Sequence, residues 1–335
     1  MQLSVIIPAK NEELDLPSCL ESLNYCLKDI PDKEIIVVDS YSQDKTTDVA
    51  NRFNVKILRL KSDWPHSPSA GRYIGSQFAS GEFILFIDAD MTLEKGFVEK
   101  ALELLRSNDL IAGVSGRGEE MYLENDIPKG ERTNLYRMKI SNSKINFLGG
   151  CALYRKDALV KVGGFNPYLC AGEEIELAQR LRMHNYRLLS IACPMITHYT
   201  PPLEEWEEFK RKKKSRLFLG IGQALRLSHS FGFLIESLIY YKEFTIFAGF
   251  ILLSIILLLI TIITTKSIYL LLIPLIILTL FFINLLKKKN FKKALLSLIK
   301  WAILSSEIIH GIILKPKNPK NYPKNPEIIK GLFNV

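Results

Sequence analysis

Short apolar runs alternate with helical periodicities over the first 200 residues, and that alternation predicts an α/β fold. Ser4–Pro8 reads as a strand. Leu16, Leu20, Leu23 and Leu27 then recur at helical spacing, with Pro17 placed where a first turn tolerates it. Glu34–Asp39 is a second strand, followed by Asp44 as the N-cap of a helix through Arg52. Val55–Leu60 predicts a third strand, Ala70–Ala79 a helix and Phe83–Ile87 a fourth strand. Farther on, Phe147–Tyr154 reads as a strand carrying Gly149-Gly150, and Gly163-Gly164-Phe165 follows a short helix. Glu174–His184 is a helix with Leu177 and Leu181 on one face, and one long charged helix is predicted from Glu204 to Leu227.

Beyond that helix the polar face disappears. Phe244–Thr264 and Ile268–Leu286 are almost wholly apolar, and as helices each reaches about 28–32 Å, enough to cross a hydrocarbon core. The net charge of +9 is concentrated on their flanks, in Arg211–Arg216 before them and in Lys287-Lys288-Lys289 and Lys292-Lys293 after them. Only Lys266 lies between the two blocks, so the charge asymmetry predicts a transmembrane hairpin with both flanks cytoplasmic. Basic runs that hug the membrane suit anionic lipid headgroups and argue against a nucleic-acid partner.

A third stretch, Phe291–Leu314, carries Lys293, Lys300 and Glu307 every seven residues, with Ser297 and His310 near the same face. That stripe predicts an interfacial helix, a third crossing being the alternative. The expected organisation is a cytoplasmic domain over 1–230, a membrane region over 231–314 and a Lys/Pro-rich tail over 315–335 with little to bury. Leu3–Ile7, ended by Pro8, lacks a basic n-region and a cleavage site, so it predicts a first strand and not a targeting signal. Cys19, Cys26, Cys151, Cys170 and Cys193 are scattered without C-x-x-C spacing and read as reduced structural thiols.

The chemistry concentrates at Asp88-Ala89-Asp90, where a buried strand runs into two carboxylates one residue apart. Alternation turns both to one side, where they suit one divalent cation or one ligand; a strand ending in a solvated turn is the plainer alternative. Strands ending in Asp39 and Asp88 deliver acids to the carboxyl edge of a parallel sheet, the edge at which open α/β sheets bind ligands.

Taken together, Pro8-Ala9-Lys10-Asn11-Glu12-Glu13, Val37-Val38-Asp39-Ser40, Asp44-Lys45-Thr46, Ala70-Gly71-Arg72, Asp88-Ala89-Asp90, Gly149-Gly150, Gly163-Gly164-Phe165 and Gly172-Glu173-Glu174 resemble, in order and spacing, the family 2 glycosyltransferases. The resemblance spans roughly residues 1–200. It implies a GT-A fold, Rossmann-like with a mostly parallel sheet and flanking helices, and an inverting transfer from a nucleotide-diphospho-sugar. Pro8, Ala9, Asn11 and Glu12 are then expected to line the nucleoside pocket, Asp39 to accept from the base, and Arg72 to lie near the nucleotide. Asp88 and Asp90 are expected to hold ribose and a Mg²⁺ or Mn²⁺ on the diphosphate, and His198 matches a further metal ligand of some relatives.

Glu174 occupies the position of the family's catalytic base. The family usually has Asp there, which leaves Glu173 open as the base instead; both are also first-turn acids that complement a helix dipole. Arg211 and Arg216 either close over the diphosphate or serve topology and lipid contact. A hydroxyl acceptor on a lipid-linked saccharide is expected, with polyprenyl or dolichyl phosphate as the alternative. Pro8–Glu13 contains no glycine, which separates the chain from nucleotidyltransferases opening on a Gly-rich loop; a transporter needs more spans than one hairpin supplies.

Overall fold

The structure is a computed structural model that describes residues 2–124, 127–128, 133–134, 143–200, 204–230, 232–264 and 272–331. The chain forms two compact units. The first comprises the described parts of residues 1–204 and 316–335, the second residues 205–315.

The first unit begins with β1 (Leu3–Ala9), α1 (Leu16–Cys26), β2 (Lys33–Asp39), α2 (Thr46–Asn51), β3 (Lys56–Arg59), α3 (Pro68–Phe78) and β4 (Phe83–Phe86). It continues with β5 (Met91–Leu93), α4 (Phe97–Ser107), β6 (Ile111–Glu124), β7 (Ile127–Pro128), β8 (Thr133–Asn134), β9 (Ser143–Ile145), β10 (Ala152–Arg155), α5 (Lys156–Val162), α6 (Glu173–Met183) and β11 (Arg187–Thr200). The second unit holds α7 (Glu205–Lys214), α8 (Leu217–Ser230), α9 (Leu234–Tyr240), α10 (Lys242–Thr264), α11 (Leu272–Lys288) and α12 (Phe291–Ile313). The chain then re-enters the first unit, ending in β12 (Glu327–Lys330).

The sheet runs β12-β3-β2-β1-β4-β10-β6-β11-β5. β3, β2, β1 and β4 are parallel, as the alternation of strand and helix predicts. The other half is mixed: β10 is antiparallel to both neighbours, β11 is parallel to β6, and β5 is antiparallel to β11. The expectation of a mostly parallel sheet therefore holds for the β3-β2-β1-β4 half only. Side chains alternate across β1, with Leu3, Val5 and Ile7 in one core layer and Ile6 in the other, so helices cover both faces.

Three local expectations change. Gly149-Gly150 precedes strand β10 and is not part of it. The long helix over 204–227 is two helices, α7 and α8, separated at Ser215-Arg216, where Arg216 takes a left-handed φ of 61° that a continuous helix excludes. The Lys/Pro-rich tail is built into the sheet: β12 pairs antiparallel with β3, and Tyr322 is only 2 % exposed in the core.

In the second unit, α10 is apolar yet almost unburied, unlike a soluble core helix. Among the described residues, Thr245–Thr264 and Phe291–Ile313 are the helices long and apolar enough to cross a membrane, by length and composition. The predicted block 268–286 begins outside the described residues; its described part lies in α11. The stripe on α12 is partly enclosed within the unit. Ser297 and Lys300 are buried, with Lys300 Nζ donating to the Glu205 carbonyl at 3.0 Å.

Candidate active site at the carboxyl edge of the sheet

In-register pairing sets the site. Ala9 pairs with Asp39 and Asp39 with Arg59, while Ile6 pairs with Phe86, two residues before Asp88. The loop after β1 and the acidic strand ends therefore open at one edge. The loops after β1 and β2 clamp each other: Asn11 N–H donates to Ser42 Oγ at 2.9 Å, Glu12 N–H to Thr46 Oγ1 at 2.8 Å, and Gln43 N–H to Asn11 Oδ1 at 2.8 Å. Asn11 and Tyr41 both have left-handed φ, 59° and 62°, unusual for residues with a Cβ.

Asp39 is fully buried. Both carboxylate oxygens accept from Ser42 N–H at 3.2 Å, and Arg59 Nε lies 3.2 Å from Oδ2. Sequence reading missed Arg59; its signal is the shared ending of β2 and β3, which places the guanidinium beside Asp39.

Arg72 lies in α3, whose N-cap Ser67 accepts from Ala70 N–H at 3.0 Å and whose Pro68 occupies the first turn. Gly71 and Gly75 pack the helix so tightly that a Cβ at either would meet Pro8 or Ile6. That approach buries Arg72, with Nη2 2.6 Å from Asp88 Oδ1 and Nη1 2.5 Å from Glu173 Oε1 and 3.3 Å from Glu174 Oε1. Its guanidinium also lies 5.7 Å from the Phe165 ring centroid. Gly150 completes the contact, because a Cβ there would strike Asp88 Oδ2.

The Gly163-Gly164-Phe165 run serves the same purpose. Both glycines take left-handed φ (86° and 71°), and Phe165 turns inward onto Phe86. Arg180 in α6 donates to the Val162 and Gly164 carbonyls at 2.5 and 2.7 Å, fixing the helix that begins with Glu173-Glu174. Glu173 is buried, whereas the Glu174 side chain is 20 % exposed. Burial, then the charge of Glu174, pushes the Glu173 carboxyl up against the pull of Arg72.

Asp90 Oδ2 lies 3.0 Å from His198 Nε2, so β11 brings this histidine to the acidic edge. Glu12 is raised to about 8, by burial first and then by the charges of Asp90, Asp15, Asp88 and Asp44. Burial likewise raises Asp88, with Arg72 opposing and Asp90 adding to the shift. This surplus of negative charge suits a hard divalent cation. Among the described residues no three such side chains converge as a ready ligand set. Mg²⁺ is commonly held by one or two carboxylates plus substrate phosphates, so the Asp88/Asp90 donor pair fits it without a protein cage.

A parallel half-sheet thus carries acids at its carboxyl edge, where open α/β sheets bind ligands, and a buried arginine joins them to two glutamates at a helix start. Residues 4–163 match the family described as glycosyl transferase family 2. The chain is similar to glycosyltransferase AglE of Haloferax volcanii, 29 % identical over 56 % of this chain and 63 % of that protein. The 4,4'-diaponeurosporenoate glycosyltransferase of Staphylococcus haemolyticus is 34 % identical over 31 % of this chain and 27 % of its own length. The poly(ribitol-phosphate) beta-N-acetylglucosaminyltransferase TarS of Staphylococcus aureus is 32 % identical over 35 % and 22 %. The chain thus spans less than two thirds of these relatives. In fold it is similar to the crystal structure of S. aureus TarS 1-349, with a TM-score of 0.52 at 18 % identity over 72 % of this chain and 73 % of that one.

Proposed function

We propose that the chain is an inverting glycosyltransferase moving a sugar from a nucleotide-diphospho-sugar to a hydroxyl of a lipid-linked glycan at the cytoplasmic membrane face. The observation that carries this reading is the Arg72 bridge. One buried guanidinium joins Asp88, on the donor side, to Glu173 and Glu174, on the side of the base. The names of the relatives support the class, since TarS acts as an N-acetylglucosaminyltransferase and was crystallised with UDP-GlcNAc.

In this reading Pro8, Ala9, Asn11 and Glu12 line the nucleoside, and Asp39 receives a base N–H. Asp88 and Asp90, with His198 beside them, hold the Mg²⁺ or Mn²⁺. A cation bound there would supply positive charge beside the leaving diphosphate. Glu174 is the base, because Glu173 is buried against Arg72 while Glu174 keeps an exposed face. It takes the acceptor hydroxyl proton as that oxygen bonds to the anomeric carbon. The bond from that carbon to the diphosphate oxygen breaks, and its electron pair leaves with the nucleoside diphosphate. The need for a base favours a hydroxyl acceptor over polyprenyl phosphate, whose monoester is already ionised.

The membrane reading is that 244–264 and 268–286 cross as a hairpin while Phe291–Ile313 lies along the interface. Both ends of the second unit continue into the first, so crossings come in an even number, which supports two rather than three. Ser297, Lys300 and Gly311 of α12 are enclosed by the unit's own helices, as an interfacial position allows.

Membranes carrying the protein, incubated with a panel of nucleotide-sugars, Mn²⁺ and either lipid-linked saccharides or polyprenyl phosphate, test the reaction. Transfer to saccharide that disappears with chelator and in Asp90→Asn supports it; glycosylation of polyprenyl phosphate alone replaces it with the alternative. Impermeant thiol labelling of Lys266→Cys from the outside tests the hairpin.

A further inference from the structure

The residues after the membrane region meet the candidate base-recognition end of the site by two separate routes. The first is backbone pairing: β12 lies antiparallel on β3, with Glu327 in register opposite Arg59, the residue whose Nε is 3.2 Å from Asp39. The second runs through side chains. Tyr322 is 2 % exposed and its Oη donates to the Pro65 carbonyl at 2.6 Å, 257 residues away in sequence. Its ring makes edge contacts with Trp64, Tyr73 and Tyr168 at centroid distances of 5.7, 5.9 and 5.5 Å. The residue after Pro65, His66, has Nε2 3.0 Å from the Lys61 carbonyl and a ring parallel to Tyr41 at 6.0 Å. Tyr41 in turn lies 4.9 Å from the Arg59 guanidinium.

We propose that this C-terminal segment is a positioning element of the nucleotide site. Tyr322 fixes the 61–67 loop, and the loop holds the His66–Tyr41–Arg59 stack that keeps the Asp39 carboxylate in place for a nucleobase. The geometry fits such a task. Asp39 sits at the strand end with an arginine that is itself pinned on three sides: by the carboxylate, by the Tyr41 ring, and by donation of Nη2 to the Ser42 carbonyl at 3.0 Å. Tyr41 adopts its left-handed φ between His66 and Arg59, and non-glycine residues held in such conformations need support from their surroundings. The loop that supplies this support is short, and the buried Tyr322 hydroxyl bonding its Pro65 carbonyl removes much of its freedom.

The inference rests on the proposed nucleotide-sugar reading and extends it to a part of the chain that no site motif reaches. The test uses the full-length protein in detergent. Dissociation constants are measured for the nucleoside diphosphate of the preferred donor and for inorganic pyrophosphate, together with donor KM and kcat, in wild type, Tyr322→Phe, His66→Ala and the double variant.

Tyr322→Phe keeps the ring and removes only the hydroxyl. It is expected to weaken nucleoside diphosphate binding and raise donor KM roughly three- to tenfold, the scale of one net hydrogen bond. Pyrophosphate binding and kcat should stay at wild-type levels, and the double variant should bind no more weakly than His66→Ala alone, because both changes act through one loop. Unchanged nucleoside diphosphate binding in Tyr322→Phe overturns the proposal, and so do equal losses of nucleoside diphosphate and pyrophosphate binding, which mark general loosening. Wild type that binds no nucleoside diphosphate at all instead removes the donor reading on which the proposal stands.

Discussion

Arg72 and Glu173 meet at 2.5 Å although 101 residues separate them in sequence. The contact sits below a strand end that also delivers Asp88 to the same guanidinium. One buried cation thus joins the strand end to the start of α6, the proposed donor and acceptor sides, and its loss leaves three acids facing one another.

Arg72→Met should therefore destabilise the first unit by about 3–5 kcal/mol, the usual cost of stranding buried charge. Urea unfolding followed by tryptophan fluorescence measures it. Arg72→Lys should recover only part of the loss, since an ammonium cannot reproduce the two-armed contact with Asp88 and Glu173. A methionine variant as stable as wild type would show that water, not arginine, satisfies these carboxylates.

Glu174→Gln keeps shape and removes the carboxylate proposed as the base. Steady-state rates should fall roughly 10²–10⁴-fold with donor KM little changed. Glu173→Gln should retain a larger share of kcat and lose stability instead, because Glu173 is the buried partner of Arg72. The reverse ranking of the two rates would assign the base to Glu173.

Acid stability carries a signature of Glu34. Burial alone would raise this carboxyl, but hydrogen bonds from Lys56 Nζ (2.8 Å), Ser4 Oγ (2.6 Å) and Ser80 outweigh it and bring it from 4.5 to about 2. Between those values the unfolded chain binds the proton and the folded one does not, so stability rises with pH across the interval. The contribution, about 3 kcal/mol, is complete above the unfolded value and is lost as pH falls through 2. Unfolding free energies of Glu34→Gln at pH 3 and pH 6 should differ less than those of wild type; an equal pH dependence would remove Glu34 from the account.

In the second unit, α8 and α12 cross where Gly222 and Gly311 face each other, and a Cβ on either would run into the other helix's backbone. Arg226 adds a clasp, donating to the carbonyls of Ile312, Ile313 and Leu314 at the end of α12. Gly222→Val should thus cost at least the 1–3 kcal/mol typical of overpacking. Lower detergent-solubilised melting temperature and faster proteolysis are the expected readouts, and an unchanged melt would mean the helices do not pack at this pair.

Much of the candidate site is legible in the amino-acid sequence. Asp39, Asp88 and Glu173-Glu174 stand at element ends that local patterns mark, and pairing brings Asp39 and Asp88 to one edge. Arg72 is legible as a candidate site residue, yet its three carboxylate partners are not, because helix α3 reaches them through packing on Gly71 and Gly75. Arg59 and Tyr322 carry no motif at all. Each matters through its neighbour in space.

By itself the sequence determined the local things: strands β1 to β4 with their intervening helices, the acids at their ends, and the apolar lengths of the second unit. Those follow from periodicity and from the few torsions each residue can adopt, so they are written within a dozen residues. Only the tertiary structure decided that β10 runs antiparallel, that the chain turns at Arg216, and that residues 316–331 return to cover Trp64 and pair with β3. Strand order and edge pairing depend on which distant surfaces bury each other best. A Lys/Pro-rich segment with one buried tyrosine reveals that only when the groove for the tyrosine exists.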